Sequence, residues 1–132
     1  MKQKLEDKII QIAPWMFRYP GWDDPQKSLI GFGFECNDGW FDLLKRLIED
    51  FAEIDTSKEI KVQQIKEKFG SLRCYADYPS RLDTSRLTGL GVMERIEQAE
   101  KESAKTCEVC GAEGKIISKG GWLMCRCQKC IK

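Results

Sequence analysis

Histidine is absent from the 132 residues. That removes Ser–His–Asp and Cys–His nucleophile systems, imidazole general acid–base chemistry and imidazole metal ligands together. The chain also lacks any apolar run near the roughly 20 residues that cross a bilayer. Its opening residues, MKQKLEDKII, carry neither the apolar stretch nor the cleavage site of a secretory signal. An excess of one charge is missing too: 22 basic and 21 acidic residues leave +1. Such a balance argues against a disordered polyelectrolyte and against a protein that coats nucleic acid. An even, dispersed cysteine framework is likewise lacking. The seven cysteines are an odd number and five of them crowd into the last 26 residues, which predicts a reducing, cytoplasmic setting with no membrane association rather than a disulfide-stapled secreted fold.

What is present suits one domain with a small appendage. Apolar residues make up 42% of the chain, enough for a hydrophobic core. Leu5, Ile9 and Ile12 share a helical face over 2–12, with Ile10 beside them, and Pro14 closes the segment. The following stretch, PWMFRYPGWDDPQKSLIGFGFE, combines proline, glycine and aromatics and predicts an ordered loop pinned by buried rings. Asn37 or Asp38 caps a second helix over 39–53, whose apolar stripe is Trp40, Leu43, Leu44, Leu47, Ile48 and Phe51. Residues 59–66 and 71–78 alternate as two strands of an antiparallel hairpin joined by Glu67–Gly70, with Phe69 expected to fold inward. Pro79 and the SRLDTS run break the pattern. A third helix is expected over 89–104, with Val92, Met93, Ile96, Ala99 and Ser103 on one face. The fold class is therefore α+β: a small antiparallel hairpin or sheet with about three helices, then a C-terminal zinc ribbon or knuckle. Residues 1–105 form the main domain and 106–132 a zinc-binding module packed on it.

The chemistry lies in that module. Cys107-x-x-Cys110 and Cys127-x-x-Cys130 are separated by sixteen residues. Zinc favours four soft ligands in a tetrahedron, and each C-x-x-C turn offers two thiolates from one tight knuckle. Lys115–Ser118 and Trp122–Cys125 can pair as a short hairpin turning at Lys119-Gly120-Gly121, bringing the second knuckle back to the first. Cys125 opens a rival register in which it replaces Cys127 or Cys130; C-x-x-C closes a knuckle where C-x-C rarely does, and Cys125 is then a buried strand residue or a spare thiol. A redox C-x-x-C would open a helix in a βαβ setting, and zinc deaminases need an H-x-E motif; neither is present. Four thiolates leave no open position for water, so the ion is expected to be structural. Residues 105–132 carry six basic and two acidic residues, a formal +4 against −3 for the first 104. A zinc tetrathiolate contributes −2 and lowers the module to about +2.

Other candidates are weaker. The aromatic loop from Trp15 to Trp40 contains Arg18 and Lys27 against Asp23, Asp24 and Glu35, a poor balance for tracking phosphates, so its rings are expected in the core. Asp23, Asp24, Glu35, Asp38 and Asp42 follow no fixed ligand spacing for a carboxylate-dependent nuclease. Gly31-Phe32-Gly33-Phe34 opens no helix and is no phosphate loop.

Three segments together, Glu35-Cys36-Asn37-Asp38-Gly39-Trp40, Ile65-Lys66-Glu67-Lys68-Phe69-Gly70-Ser71-Leu72-Arg73-Cys74-Tyr75, and Cys107–Gly111 with Gly120-Gly121-Trp122, give a resemblance over residues 30–130. The chain is similar to a family of short phage- and prophage-encoded zinc-binding proteins of mostly unassigned function. It also looks like the zinc-containing anti-CRISPR proteins of this size. The family pattern places the second metal pair five residues after the GGW tryptophan, which here is Cys127 followed by Cys130; a cysteine at 125 departs from it. The resemblance implies a phage- or prophage-encoded, non-enzymatic protein in the host cytoplasm that inhibits a type II CRISPR effector nuclease by direct binding. Lys115, Lys119, Trp122 and Arg126 are the expected contacts with that host protein. The alternatives are a nucleic-acid-binding zinc protein acting as a phage regulator and, third, the carboxylate-dependent nuclease.

Overall fold

The computed structural model describes residues 1–83 and 91–131. Its helices are α1 (Gln3–Ile10), α2 (Phe41–Ile54) and α3 (Val92–Ser103), and its strands are β1 (Phe34–Glu35), β2 (Lys61–Lys68), β3 (Ser71–Asp77), β4 (Lys115–Lys119) and β5 (Trp122–Arg126). The α+β class is as the sequence predicts. The expected start of the third helix, at 89 and 90, lies outside the described residues, as do the end of the SRLDTS run and Lys132.

α2 forms because its apolar positions recur on one face: Leu43, Leu44, Leu47, Ile48 and Phe51 are all buried. Asn37 and Asp38 do not cap it with their side chains. A single turn, Asp38–Trp40, leads into the helix instead, and Asp38 Oδ1 accepts a bond from the Lys2 amide at 2.9 Å. α3 buries Val92, Ile96, Ala99 and Ser103 but leaves Met93 48% exposed, against expectation. The buried place beside Ile96 goes to Arg95, whose guanidinium lies 3.4 Å from Asp50 of α2. The Ser103 hydroxyl accepts the Leu72 amide at 2.8 Å, tying α3 to β3.

β2 and β3 pair antiparallel from Lys61↔Asp77 to Lys68↔Ser71, with a bulge between Val62 and Gln64. The link is a two-residue Phe69-Gly70 turn, both residues at positive φ, and the strand before it ends two residues later than expected. β1 adds to the other edge of β2 in parallel register, Phe34↔Ile65. This short strand was not legible from alternation, since two residues carry no period. Ile60, Val62, Ile65, Leu72 and Cys74 line the core face together with Phe17, Phe34 and Trp40.

The aromatic loop is pinned as its composition predicts, by hydrogen bonds as well as by burial. Met16, Phe17 and Phe34 are buried. Trp15 Nε1 donates to Asp55 Oδ2 at 2.7 Å, and the Tyr19 hydroxyl donates to the Val62 carbonyl at 2.7 Å. Phe32 is the exception, 66% exposed.

Candidate metal centre

The first knuckle leaves α3 directly. The Cys107 amide donates to the Ala112 carbonyl at 2.7 Å, and the Gly111 amide returns to the Cys107 carbonyl at 2.9 Å. Gly111 sits at φ +82°, a left-handed position that closes the turn without a Cβ penalty. The β4–β5 hairpin then runs out and back in the register Lys119↔Trp122, around a two-residue Gly120-Gly121 turn at φ +59° and +88°. Both angles positive is the type I′ geometry that matches strand twist. Lys119 is thus a paired strand residue rather than part of the turn. The second knuckle follows β5 as the Gln128–Cys130 turn, with the Cys130 amide donating to the Cys127 carbonyl at 3.1 Å.

This path brings the sulfurs of Cys107, Cys110, Cys127 and Cys130 all within 4.8 Å of one another. Cys110 Sγ and Cys127 Sγ are 3.5 Å apart. Four thiolates at the usual zinc–sulfur length of about 2.3 Å stand about 3.8 Å apart in a tetrahedron, so the spacing fits a metal ion. It is far from the ~2.05 Å of a disulfide. Cys107 and Cys127 are buried, Cys110 is exposed and Cys130 half-buried, so the cluster opens to solvent along one edge. Cys125 lies outside this group: it is fully buried on β5 and belongs to the hydrophobic core.

The thiols differ in acidity. Burial pushes Cys107 up, but the backbone amides of Cys110, Cys127 and Val109 outweigh it and bring it down to about 6. Burial raises Cys127 as well; hydrogen bonds from the Cys110 and Cys130 thiols and from nearby amides leave it lowered. Cys130 is pushed up to about 12, first by its thiol contact with Cys127. Amides aimed at sulfur are the environment a metal thiolate requires.

What the cysteine spacing does not reveal is how this knuckle is bolted to the rest of the fold. Glu108 is 5% exposed. Its Oε2 accepts the Asn37 amide at 2.9 Å and its Oε1 lies 3.4 Å from Arg126 Nη1. Its backbone carbonyl accepts the Gly39 amide at 2.7 Å, while its own amide donates to the Cys125 carbonyl. Trp40 Nε1 donates to the Thr106 carbonyl at 2.9 Å. Gly39 has to be glycine, because a Cβ there would stand 2.2 Å from the Cys107 carbonyl oxygen. Glu108 and Gly39 are site residues that sequence reasoning missed; a lone glutamate between two cysteines carries no local signal of burial.

Of the predicted contact residues, Lys115 and Lys119 are exposed and Trp122 is 76% exposed. Arg126 is turned the other way, bonded to the Cys125 carbonyl at 2.9 Å and facing Glu108. Phe69, expected to fold inward, stands 63% exposed at the β2–β3 tip. The reason is local: the turn places residue 69 in the left-handed region, where its side chain leaves the sheet. Among the described residues, Asp23, Asp24, Glu35, Asp38 and Asp42 form no convergent carboxylate group. Among the described residues, no helix is long and apolar enough to cross a membrane. Comparison with known proteins adds nothing to this geometry: no family model, no curated protein and no solved structure matches the chain.

Proposed function

We propose that this chain is a zinc-stapled, non-enzymatic binding protein whose target is another protein. The observation that carries the reading is the convergence of four thiol sulfurs from two turns. That donor set is complete in itself, and zinc held there would supply a tetrahedral cross-link with no position for a substrate. A cross-link at this place fixes the β4–β5 hairpin, which spends little of its surface on the core and holds Lys115, Lys119 and Trp122 in solvent. Rigid presentation of an aromatic ring beside cations suits an interface anchor.

In its finer form, the reading follows the resemblance to small phage proteins: the target is a host protein, and binding inhibits a type II CRISPR effector nuclease in the host cytoplasm. The test has two arms. Purified zinc-loaded protein is first incubated with host lysate, with and without added nuclease, beside a Cys107→Ser variant. It is then titrated into a cleavage reaction of the effector. Retention of one host protein after nuclease treatment, together with stoichiometric loss of cleavage, is the expected result. Recovery of nucleic acid alone would replace this reading with the nucleic-acid-binding one. A retained protein that leaves cleavage untouched would keep the interaction role and remove the nuclease target.

A further inference from the structure

The β2–β3 turn lies against the flank of the β4–β5 hairpin. Gly70, in the β2–β3 turn, is buried against the second hairpin; a Cβ added there would meet Ile116 Cγ2 at 3.1 Å and the Met124 amide nitrogen at 3.4 Å. Their contact leaves a groove of about 410 Å³ on the outer side, walled by Phe69, Trp122 and Leu123 and rimmed by Lys66 and Lys68. Phe69, Trp122 and Leu123 are 63%, 76% and 41% exposed. Phe69 also adopts the left-handed backbone that bulky side chains avoid, at φ +55°. Neither ring is placed there by the demands of the core. Residues kept in such conformations cluster where a protein meets a ligand.

Basic side chains outnumber acidic ones around the groove. Lys66 and Lys68 of the lining, and Lys119 opposite Trp122 in the β4–β5 register, enter no ion pair among the described residues. The Lys68 ammonium lies 5.4 Å from the centre of the Phe69 ring. The one acid on the lining, Glu67, accepts the Gly70 amide at 2.7 Å and is taken up in holding the turn.

We infer that this composite groove docks an acidic segment of the partner protein, an apolar side chain entering between Phe69 and Trp122 while flanking carboxylates meet Lys66, Lys68 and Lys119. The inference rests on the protein-binding reading above and names its surface. A nucleic-acid strand is the poorer occupant. It needs a cationic track beyond the groove, whereas Glu35 stands beside Lys66 in the sheet register and the chain as a whole carries +1.

The test replaces Trp122 with a photoreactive benzophenone amino acid in the zinc-loaded protein, and places the same group at exposed Glu97 of α3 as a control. After irradiation in nuclease-treated host lysate, the cross-linked segment is mapped by mass spectrometry and synthesised. Its affinity is then measured for wild type, Trp122→Ala and Phe69→Asn, with zinc content and circular dichroism confirming that each is folded. The expected segment carries Asp or Glu around an apolar residue. It should bind at least tenfold more weakly to Trp122→Ala, and at least tenfold more weakly when its carboxylates are made amides. A mapped segment without acidic residues, a nucleic-acid adduct, or a mapped segment bound equally well by Trp122→Ala would overturn the groove. The last of these leaves the protein-binding reading standing, whereas no host protein retained by wild type after nuclease treatment removes both.

Discussion

At Glu108 two oxygens, a carbonyl and an amide all have partners, and two of those partners, Asn37 and Gly39, lie in a segment remote from both knuckles. A metal held by the neighbouring cysteines would be sensitive to changes that never touch sulfur. Gly39→Ala should lower stability by about 3 kcal/mol or more, because the overlap is with backbone atoms that cannot swing aside; denaturant unfolding of the zinc-loaded protein measures it. Among the cysteines, Cys107→Ser and Cys130→Ser should release the metal, while Cys125→Ser should keep one equivalent of zinc and lose only about 1–3 kcal/mol from a buried hydroxyl. Metal analysis after gel filtration decides, and zinc lost from Cys125→Ser but kept by Cys127→Ser would reverse the ligand assignment. Two further cysteines, Cys36 and Cys74, are buried in the hydrophobic core. Burial pushes Cys36 and Cys74 up to about 12 from the ordinary 9. A raised thiol favours the protonated fold, so its contribution is complete below pH 9 and is lost as pH climbs through 9 to 12. Stability of the wild type should therefore fall over that window more steeply than that of Cys74→Ala, by about 1 kcal/mol per pH unit.

The elements show which parts of a sequence announce themselves. The stripe of α2 was plain because five buried residues repeat on one face over fourteen positions. The cysteine register was legible because ligand chemistry demands its spacing. β1 was hidden by its length, and the inward turn of Arg95 in place of Met93 depends on Asp50 of a different helix. No local pattern encodes either. Phe69 illustrates a third kind of miss, since an aromatic in a short link suggests burial until the turn type is known. With residue 69 in the left-handed region, Phe69→Asn should relieve backbone strain and raise stability by about 1 kcal/mol, read as an upward shift of the thermal midpoint. If the midpoint falls instead, the ring contributes more to the fold than its exposure suggests.

For the whole molecule, the consequence of the centre lies in what metal removal does first. β4 exposes four of its five residues and β5 two of its five, and a lone two-stranded hairpin is marginal in water. Chelation should therefore raise amide exchange across β4 and β5 before it affects α2; equal and simultaneous loss in both would show one indivisible cooperative unit. Trp40, fully buried and bonded to the carbonyl of Thr106 one residue before the first ligand, stands where that loosening begins. Trp122 stands at the opposite extreme, almost bare at the hairpin tip. Of the four tryptophans, these two should therefore serve as opposite optical probes: Trp40 a blue-emitting indole, shielded from quenchers, that would register loss of a bound metal, and Trp122 a red-emitting, quencher-accessible one that would register whatever settles beside it.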